Sequence, residues 1–126
     1  MLLNNRGVTL VEVIIALTVM LVVFLALMQT AIVSIDSNIK NLLRDDAVSI
    51  AETGMDEARN VPFDSLSGST STYDDRRARD ITTRYNVTRA VTVLNADNKR
   101  VDVTVDWTWK GESYTHRDTT LIRKPL

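Results

Sequence analysis

The chain has 126 residues, with 15 Lys or Arg against 16 Asp or Glu, so that its net charge is −1. This length suits one small domain, and the balanced charge provides no basic face of the kind that nucleic-acid binding requires. Cysteine is absent from the sequence, which excludes disulfides and thiolate metal sites. The apolar residues are concentrated near the N-terminus. A core built from the polar, Thr-rich remainder alone, about 65 residues, would be marginal, so we expect it to pack against the N-terminal segment.

The first long element is an apolar stretch over residues 8–28, which comes after a short segment, 1–7. The stretch reads VTLVEVIIALTVMLVVFLALM, and its polar interruptions are Thr9, Glu12 and Thr18. As a helix it would rise about 31 Å, which matches the hydrocarbon thickness of a bilayer. A secretory signal peptide is disfavoured, because such peptides have a shorter apolar region and a small-residue cleavage site after it. We therefore predict a transmembrane helix.

The next segment, 29–61, contains no proline, and its apolar residues recur three or four positions apart. This spacing is typical of a helix with one apolar face, and Pro62 stands where such a helix would stop. We predict one continuous helix over 8–61, transmembrane in its first part and amphipathic over 29–61. Gly54 weakens this prediction, since a glycine costs about 1 kcal/mol in a helix interior.

The C-terminal half changes character twice. Residues 62–80 are rich in Ser and Thr, include a Gly and have no apolar period, and we predict a loop that joins the helix to a sheet. A period of two then appears and is clearest in Val101–Trp109, where apolar residues alternate with Asp and Thr. Hairpin turns at Asn95–Lys99 and Gly111–Glu112 would join about three strands into an antiparallel sheet over 81–126. One face of this sheet would be buried against the amphipathic helix part, which gives an α+β fold.

The run Arg6-Gly7-Val8-Thr9-Leu10-Val11-Glu12, continued by uncharged apolar residues, resembles the N-terminal signature of type IV prepilin-like proteins, which carry a class III signal peptide. The resemblance covers the leader, 1–7, and the long helix closely, and the helix–loop–sheet order loosely; it implies a pilin-like fold. It also implies cleavage between Gly7 and Val8 by a membrane aspartyl prepilin peptidase, and then N-methylation of Val8. Glycine suits the cleavage because it has no Cβ to keep a protease away. Arg6 would hold the leader on the cytoplasmic side under the positive-inside bias.

Glu12 is the one charged residue of the apolar stretch. A carboxylate within the bilayer costs about 2.5–3.5 kcal/mol on insertion scales, and such residues are functional by default. It stands about 6 Å along the helix axis from Val8, whose amine could neutralise it within one helix. In the prepilin-like family the equivalent carboxylate instead draws the N-terminal amine of a neighbouring subunit and sets the axial register of assembly. The alternative is an interfacial Glu12 whose carboxylate reaches water.

The sequence departs from the family pattern in ways that indicate the kind of subunit. Val8 stands where phenylalanine is usual, and the apolar half lacks the helix-kinking proline of major pilins, as the chain lacks their cysteine pair. The chain therefore looks most like minor pilins and minor pseudopilins. We expect a minor pilin of a type IV pilus; the alternative is a minor pseudopilin of a type II secretion system. A single-pass, membrane-anchored periplasmic sensor or enzyme is a third, weaker hypothesis.

The resemblance also implies partners and a location. The partners would be other pilin or pseudopilin subunits, the prepilin peptidase, the inner-membrane assembly platform and membrane lipid, and we expect neither a nucleic acid nor a cofactor. Before assembly the chain would span the inner membrane once, with its N-terminus cytoplasmic and its head, the sheet over 81–126, periplasmic. After assembly it would lie in a pilus or pseudopilus.

We predict neither a catalytic nor a metal site in the C-terminal half. His116 is the one histidine, for which we expect a surface or edge-strand position, and the acids near it do not have the spacing of metal ligands. Asp102 and Asp106 share one strand face, which we expect to be solvated rather than enclosed in a pocket that would separate their pKa values. The sequence has no G-x-S-x-G nucleophile motif.

Two further groups have structural interpretations. Asn95, Asp97 and Asn98 are typical of a hairpin turn; calcium binding is the alternative, although the EF-hand pattern is not met. Trp107 and Trp109 fall on the apolar face of the predicted strand, where we expect them to pack against the helix. The end of the strand could also expose Trp109 to a partner.

Overall fold

The computed structural model describes Gly7 and residues 9–126. Its elements, in chain order, are helix α1 (Leu10–Asn60), a 3-10 turn (Phe63–Ser65) and strands β1 (Ser69–Ala78), β2 (Ile81–Asn95), β3 (Asn98–Trp109) and β4 (Glu112–Arg123). The predicted fold class, a long helix packed on a small antiparallel sheet, is confirmed. The chain divides into two compact units, residues 1–38 and 39–126.

In the first unit, α1 begins at Leu10, and every side chain from Thr9 to Ile35 is exposed. This part of the helix is long and apolar enough to cross a membrane, by length and composition. Within it the hydroxyls of Thr18 and Thr30 donate back to the backbone, to the carbonyls of Ile14 (2.8 Å) and Ala26 (3.1 Å). Those bonds satisfy the two hydroxyls without any partner outside the helix.

The second unit contains a four-stranded antiparallel sheet in the order β1-β2-β3-β4, so each strand pairs with the next along the chain. The prediction of about three strands was one too few. The additional strand is β1, which forms within the segment 62–80 that we predicted to be a loop. It is an edge strand whose backbone pairs with β2, for example Asp74 with Tyr85. Its side chains are almost all polar, and the edge position does not require an apolar alternation.

The first turn is shorter than predicted, because β2 and β3 continue into it, and the second turn lies one residue earlier than predicted. Between β2 and β3 the turn is Ala96–Asp97, and Asn95 Oδ1 accepts hydrogen bonds from the Asp97 amide and the Asn98 side chain, both at 3.0 Å. Between β3 and β4 the turn is Lys110–Gly111 rather than Gly111–Glu112. Both of its residues have positive φ (48° and 79°), as a two-residue type I′ turn demands.

The core lies between the second half of α1 and one face of the sheet. Buried helix residues recur at a spacing of three or four, and buried strand residues at a spacing of two, as each element's geometry dictates. The set comprises Leu43, Ala47, Ile50, Ala51, Met55 and Ala58 from α1, Leu66 from the connection, and Tyr85, Val101, Val103, Val105 and Trp107 from the sheet. Trp109 is half-buried against this cluster.

Gly54 has a packing role that offsets its poor helix propensity. A Cβ built at this position would lie 3.3 Å from Val103 Cγ1, closer than most such contacts. A glycine therefore allows the helix to approach β3 closely, and alanines at positions 47, 51 and 58 have the same effect along the same face. This explains a residue that weakened the helix prediction.

Lys99 bonds the segment between α1 and β1 to the sheet. We placed it in a hairpin loop, but it lies in β3 and is buried, with 8% of its surface exposed. Its ammonium donates to the carbonyls of Phe63 (2.5 Å) and Leu66 (2.8 Å), and it lies 4.5 Å from the centre of the Phe63 ring. The Leu66 carbonyl is thereby satisfied where the chain turns from helix to sheet, and the Phe63 carbonyl, which also accepts from the Leu66 amide (3.3 Å), gains a second donor.

Candidate functional site

The residues that the sequence singled out lie at the start of α1. Gly7 is exposed and outside any helix or strand, and a Cβ built there would meet nothing within 4 Å. Local packing in the described residues therefore does not require a glycine at this position. Arg6 and Val8, the other predicted residues of the leader and cleavage site, lie outside the described part of the chain.

Thr9 and Glu12 bond to one another across the first turn. The Thr9 amide donates to Glu12 Oε2 (2.8 Å), and the Glu12 amide donates to Thr9 Oγ1 (3.3 Å). This reciprocal pair is a capping box, which satisfies two of the amides that a helix start leaves unbonded. The helical ladder begins immediately after it, with the Val13 amide bonded to the Thr9 carbonyl (3.2 Å). Sequence reasoning missed this pair, although the T-x-x-E spacing before an apolar run is its known signature.

The carboxylate of Glu12 also has a favourable electrostatic position. It lies in the first turn of α1, where the partial positive charge of the helix dipole stabilises an anion. It is the only charged side chain between Leu10 and Ile35. The N-terminal region therefore presents one carboxylate, held by a cap, on a helix that is otherwise uncharged for about seven turns.

The acidic residues of β3 are engaged in cross-strand hydrogen bonds. The hydroxyl of Thr119 donates to Asp102 (2.6 Å), and that of Thr115 donates to Asp106 (2.6 Å). The bond from Thr119, together with the charge of Arg100, holds the pKa of Asp102 below its ordinary value. A lowered pKa keeps the carboxyl ionised, which is opposite to the shift that a general acid requires.

His116 lies on the edge strand β4, as expected, and pairs with Val105 of β3. Its Nε2 atom is buried without a hydrogen bond and lies 3.8 Å from Asp118 Oδ2. Among the residues that the structure describes, no group of three or more His, Cys, Asp or Glu side chains is placed to hold a metal ion. The described part of the sheet therefore does not place His116 among enough acidic side chains to hold a metal ion.

Comparison with known families gives one match. Residues 2–28 match the family described as the prokaryotic N-terminal methylation motif, and this range contains Gly7, Thr9 and Glu12. No curated protein and no solved structure matches the chain significantly. The motif implies processing by a prepilin peptidase and assembly with other pilin subunits, and with the apolar helix it suits anchoring in the inner membrane before assembly. The chain thus carries a prepilin N-terminal methylation motif at residues 2–28, consistent with the class III signal peptide of type IV prepilin-like proteins, and this supports a pilin or pseudopilin type of protein.

Proposed function

We propose that this chain is a minor pilin of a type IV pilus, a structural subunit that is stored in the inner membrane and then incorporated into, or used to prime, the filament. The observation that carries the proposal is the methylation motif at residues 2–28. The described part of this range lies almost entirely in the first part of α1, which from Leu10 to Ile35 is exposed, largely apolar and contains a single carboxylate, Glu12. A helix of this kind needs an apolar environment from lipid or from other helices.

Processing would release the subunit for assembly. A prepilin peptidase would cleave between Gly7 and Val8 on the cytoplasmic side, and Val8 would then be N-methylated. The exposure of Gly7 supports this step, since nothing in the described chain covers it. Arg6 would hold the leader in the cytoplasm beforehand, which places the head in the periplasm.

Glu12 would set the register between subunits. Its carboxylate would attract the Val8 amine of a neighbouring subunit, because the pairing removes an uncompensated charge from an apolar environment. The position of the carboxylate supports this role: it lies in the first turn of α1, in the same apolar stretch that would pack against other subunits. An interaction of this kind is directional along the filament, since it links the start of one helix to the first turn of another.

The head supports a structural role within the filament. Its buried surface is used to pack the helix on the sheet, and the carboxylates of β3 are satisfied by threonine hydroxyls rather than arranged around a substrate. The absence of a cysteine pair and of a helix-kinking proline favours a minor over a major subunit. A minor pseudopilin of a type II secretion system would use the same membrane steps, so the filament in which the chain is found distinguishes the two.

The test begins with immunoblots of membrane fractions from cells with and without the prepilin peptidase. We expect the wild-type chain to become shorter by its leader only when the peptidase is present, and Gly7→Ala to keep its full length. Asn5→Ala, in the same leader, is the matched control and should be processed like wild type. Equal sizes in every sample would refute processing.

A second experiment identifies the filament that contains the chain. Surface pili are sheared from the cells and examined by immunoblot, and we expect the chain to be a small fraction of their subunits. Its absence from pili, together with its presence in a secretion pseudopilus, would replace the pilus assignment by the pseudopilin one. Its absence from both would contradict the proposal.

A further inference from the structure

The start of α1 is fixed by side chains and not only by the apolar sequence that comes after it. Gly7 and Thr9 are both outside the helix, whereas Leu10 is its first residue. The hydroxyl of Thr9 accepts from the Glu12 amide, and the Glu12 carboxylate accepts from the Thr9 amide. The two threonines further along the apolar part, Thr18 and Thr30, donate to carbonyls four residues before them instead. Thr9 is therefore used as a cap, in contrast to threonines of the same helix.

We propose that Thr9 is a positioning residue for cleavage of the precursor: its capping box with Glu12 starts the helix at Leu10, leaves Gly7 outside it and keeps the Gly7–Val8 peptide available to the peptidase. This inference rests on the proposed function, because it assumes that the chain is processed at that bond. In the cleavage, water adds across the peptide bond, which leaves a carboxylate on Gly7 and an amine on Val8. The peptidase supplies the catalytic groups, and Thr9 acts only on the conformation of the substrate.

The physical reason is that the Thr9 hydroxyl competes with the Val8 carbonyl for the Glu12 amide. In a longer helix the Glu12 amide would bond to the Val8 carbonyl, and the next residue back, Val11, would bond to the Gly7 carbonyl. An unbonded amide is costly near lipid. Loss of the cap therefore favours extension of the helix towards the N-terminus, which would bond the amides that are left free. Extension would engage the carbonyl of the bond that must be hydrolysed, and a protease acts on locally open chain.

The experiment measures cleavage of the full-length precursor, in detergent micelles, by purified prepilin peptidase. Thr9→Ala removes the cap, and we expect kcat/KM to fall by up to about 5-fold, the limit that corresponds to loss of a typical N-cap of about 1 kcal/mol. The fall should lie in KM with kcat unchanged, since the variant lowers the fraction of competent substrate and leaves the chemistry as it is.

Three further variants make the result specific. Thr9→Ser and Thr9→Asn both retain a capping side chain of different shape, and each should be cleaved as well as wild type. Thr18→Ala is the matched control, because it removes a threonine hydroxyl from the same helix without touching the cap. In parallel, the carbon chemical shifts of Gly7 in labelled precursor should move towards helical values in Thr9→Ala alone.

The outcomes separate the two proposals. If wild type is cleaved and Thr9→Ala is cleaved with the same KM, the role of Thr9 is wrong and the processing stands. If Thr9→Ser and Thr9→Asn are as poor as Thr9→Ala, or if KM rises without a change at Gly7, the peptidase contacts Thr9 itself and the conformational role is again wrong. If wild-type precursor is not cleaved at all, the proposed processing fails and this inference fails with it.

Discussion

Helix α1 contains two stretches with the same secondary structure and different environments. From Leu10 to Ile35 all side chains are exposed, although almost all of them are apolar. From Ile39 to Asn60 the apolar side chains keep to one face, and that face is buried by the sheet. The second stretch completes its packing within its own unit, whereas the first must obtain it from lipid or from other subunits. The distribution of apolar residues around the helix axis therefore indicates what each stretch contacts: lipid or other subunits where all sides are apolar, and the sheet where one face is apolar.

A pair of leucine truncations tests this comparison directly. Leu43→Ala removes a side chain that is 1% exposed in the core, and we expect the free energy of unfolding of the head to fall by about 2–5 kcal/mol. Leu21→Ala makes the same chemical change in the first stretch, where the side chain is 59% exposed, and should leave that free energy within about 0.5 kcal/mol. Urea titration of the full chain in detergent, monitored by tryptophan fluorescence, measures both. Equal effects would remove the distinction between the two stretches.

Replacing the carboxylate of the first stretch should affect assembly and leave folding alone. Glu12→Val should lower incorporation into filaments about 100-fold, because the Val8 amine of the neighbouring subunit would then lie in lipid without a counter-charge, at a cost of about 2.5–3.5 kcal/mol. Membrane insertion should be intact, since the variant is more apolar. Glu52→Val, at an exposed position of the second stretch, is the control and should assemble normally. Normal assembly of Glu12→Val, measured in sheared filaments, would show that the register mechanism is wrong.

The connection from helix to sheet should depend on Lys99. Lys99→Met keeps an apolar stem of similar length and removes the donor to the carbonyls of Phe63 and Leu66. Because the buried Leu66 carbonyl would then lose its donor, while the Phe63 carbonyl would keep the Leu66 amide (3.3 Å), we expect a loss of about 1–3 kcal/mol in the free energy of unfolding. Lys124→Met, whose ammonium is 3.9 Å from Asp64 at the surface, should change it by less than about 0.5 kcal/mol. A Lys99→Met head as stable as wild type would contradict this role.

Tyr85 gives the smallest effect and a pH dependence. Its buried hydroxyl donates to the Leu43 carbonyl (3.1 Å), and burial, with a contribution from the charge of Asp46, raises the pKa of Tyr85. Because the neutral form is favoured in the folded state, this stabilisation is complete below the unfolded pKa of about 10 and is lost as the pH rises towards the folded-state value. Tyr85→Phe should cost about 1 kcal/mol at pH 7 and reduce the alkaline loss of stability. Tyr73→Phe, at an exposed position, is the control. An unchanged alkaline slope in Tyr85→Phe would contradict this assignment.

Much of the fold was predictable because its main elements have strong periodic patterns. The apolar stretch and the spacing after it predicted α1 within two residues of its observed limits, and the alternation in Val101–Trp109 predicted β3. Strand β1 was missed because it is held by backbone pairing at a sheet edge, and such pairing leaves no pattern in polar side chains. The position of Lys99 was missed for a related reason, since its partners are carbonyls 33 and 36 residues away in the chain.

The candidate site was partly predictable. Gly7 and Glu12 stood out by residue type and position, and the family match covers both. The bonds between Thr9 and Glu12 could have been inferred from their spacing, because T-x-x-E before an apolar run is the signature of a capping box. Glu12 can thus cap the start of its own helix and, in the proposed function, pair with the amine of an adjacent subunit.

Mass spectrometry of the chain isolated from its native cells tests the step on which the proposal depends, that proteolysis frees the Val8 amine that would pair with Glu12 during assembly. We expect an N-terminus at Val8 carrying a methyl group, with the entire apolar stretch retained. A first residue of Met1, or a chain that begins beyond Met28, would contradict the claim, because either form lacks the amine on which assembly depends.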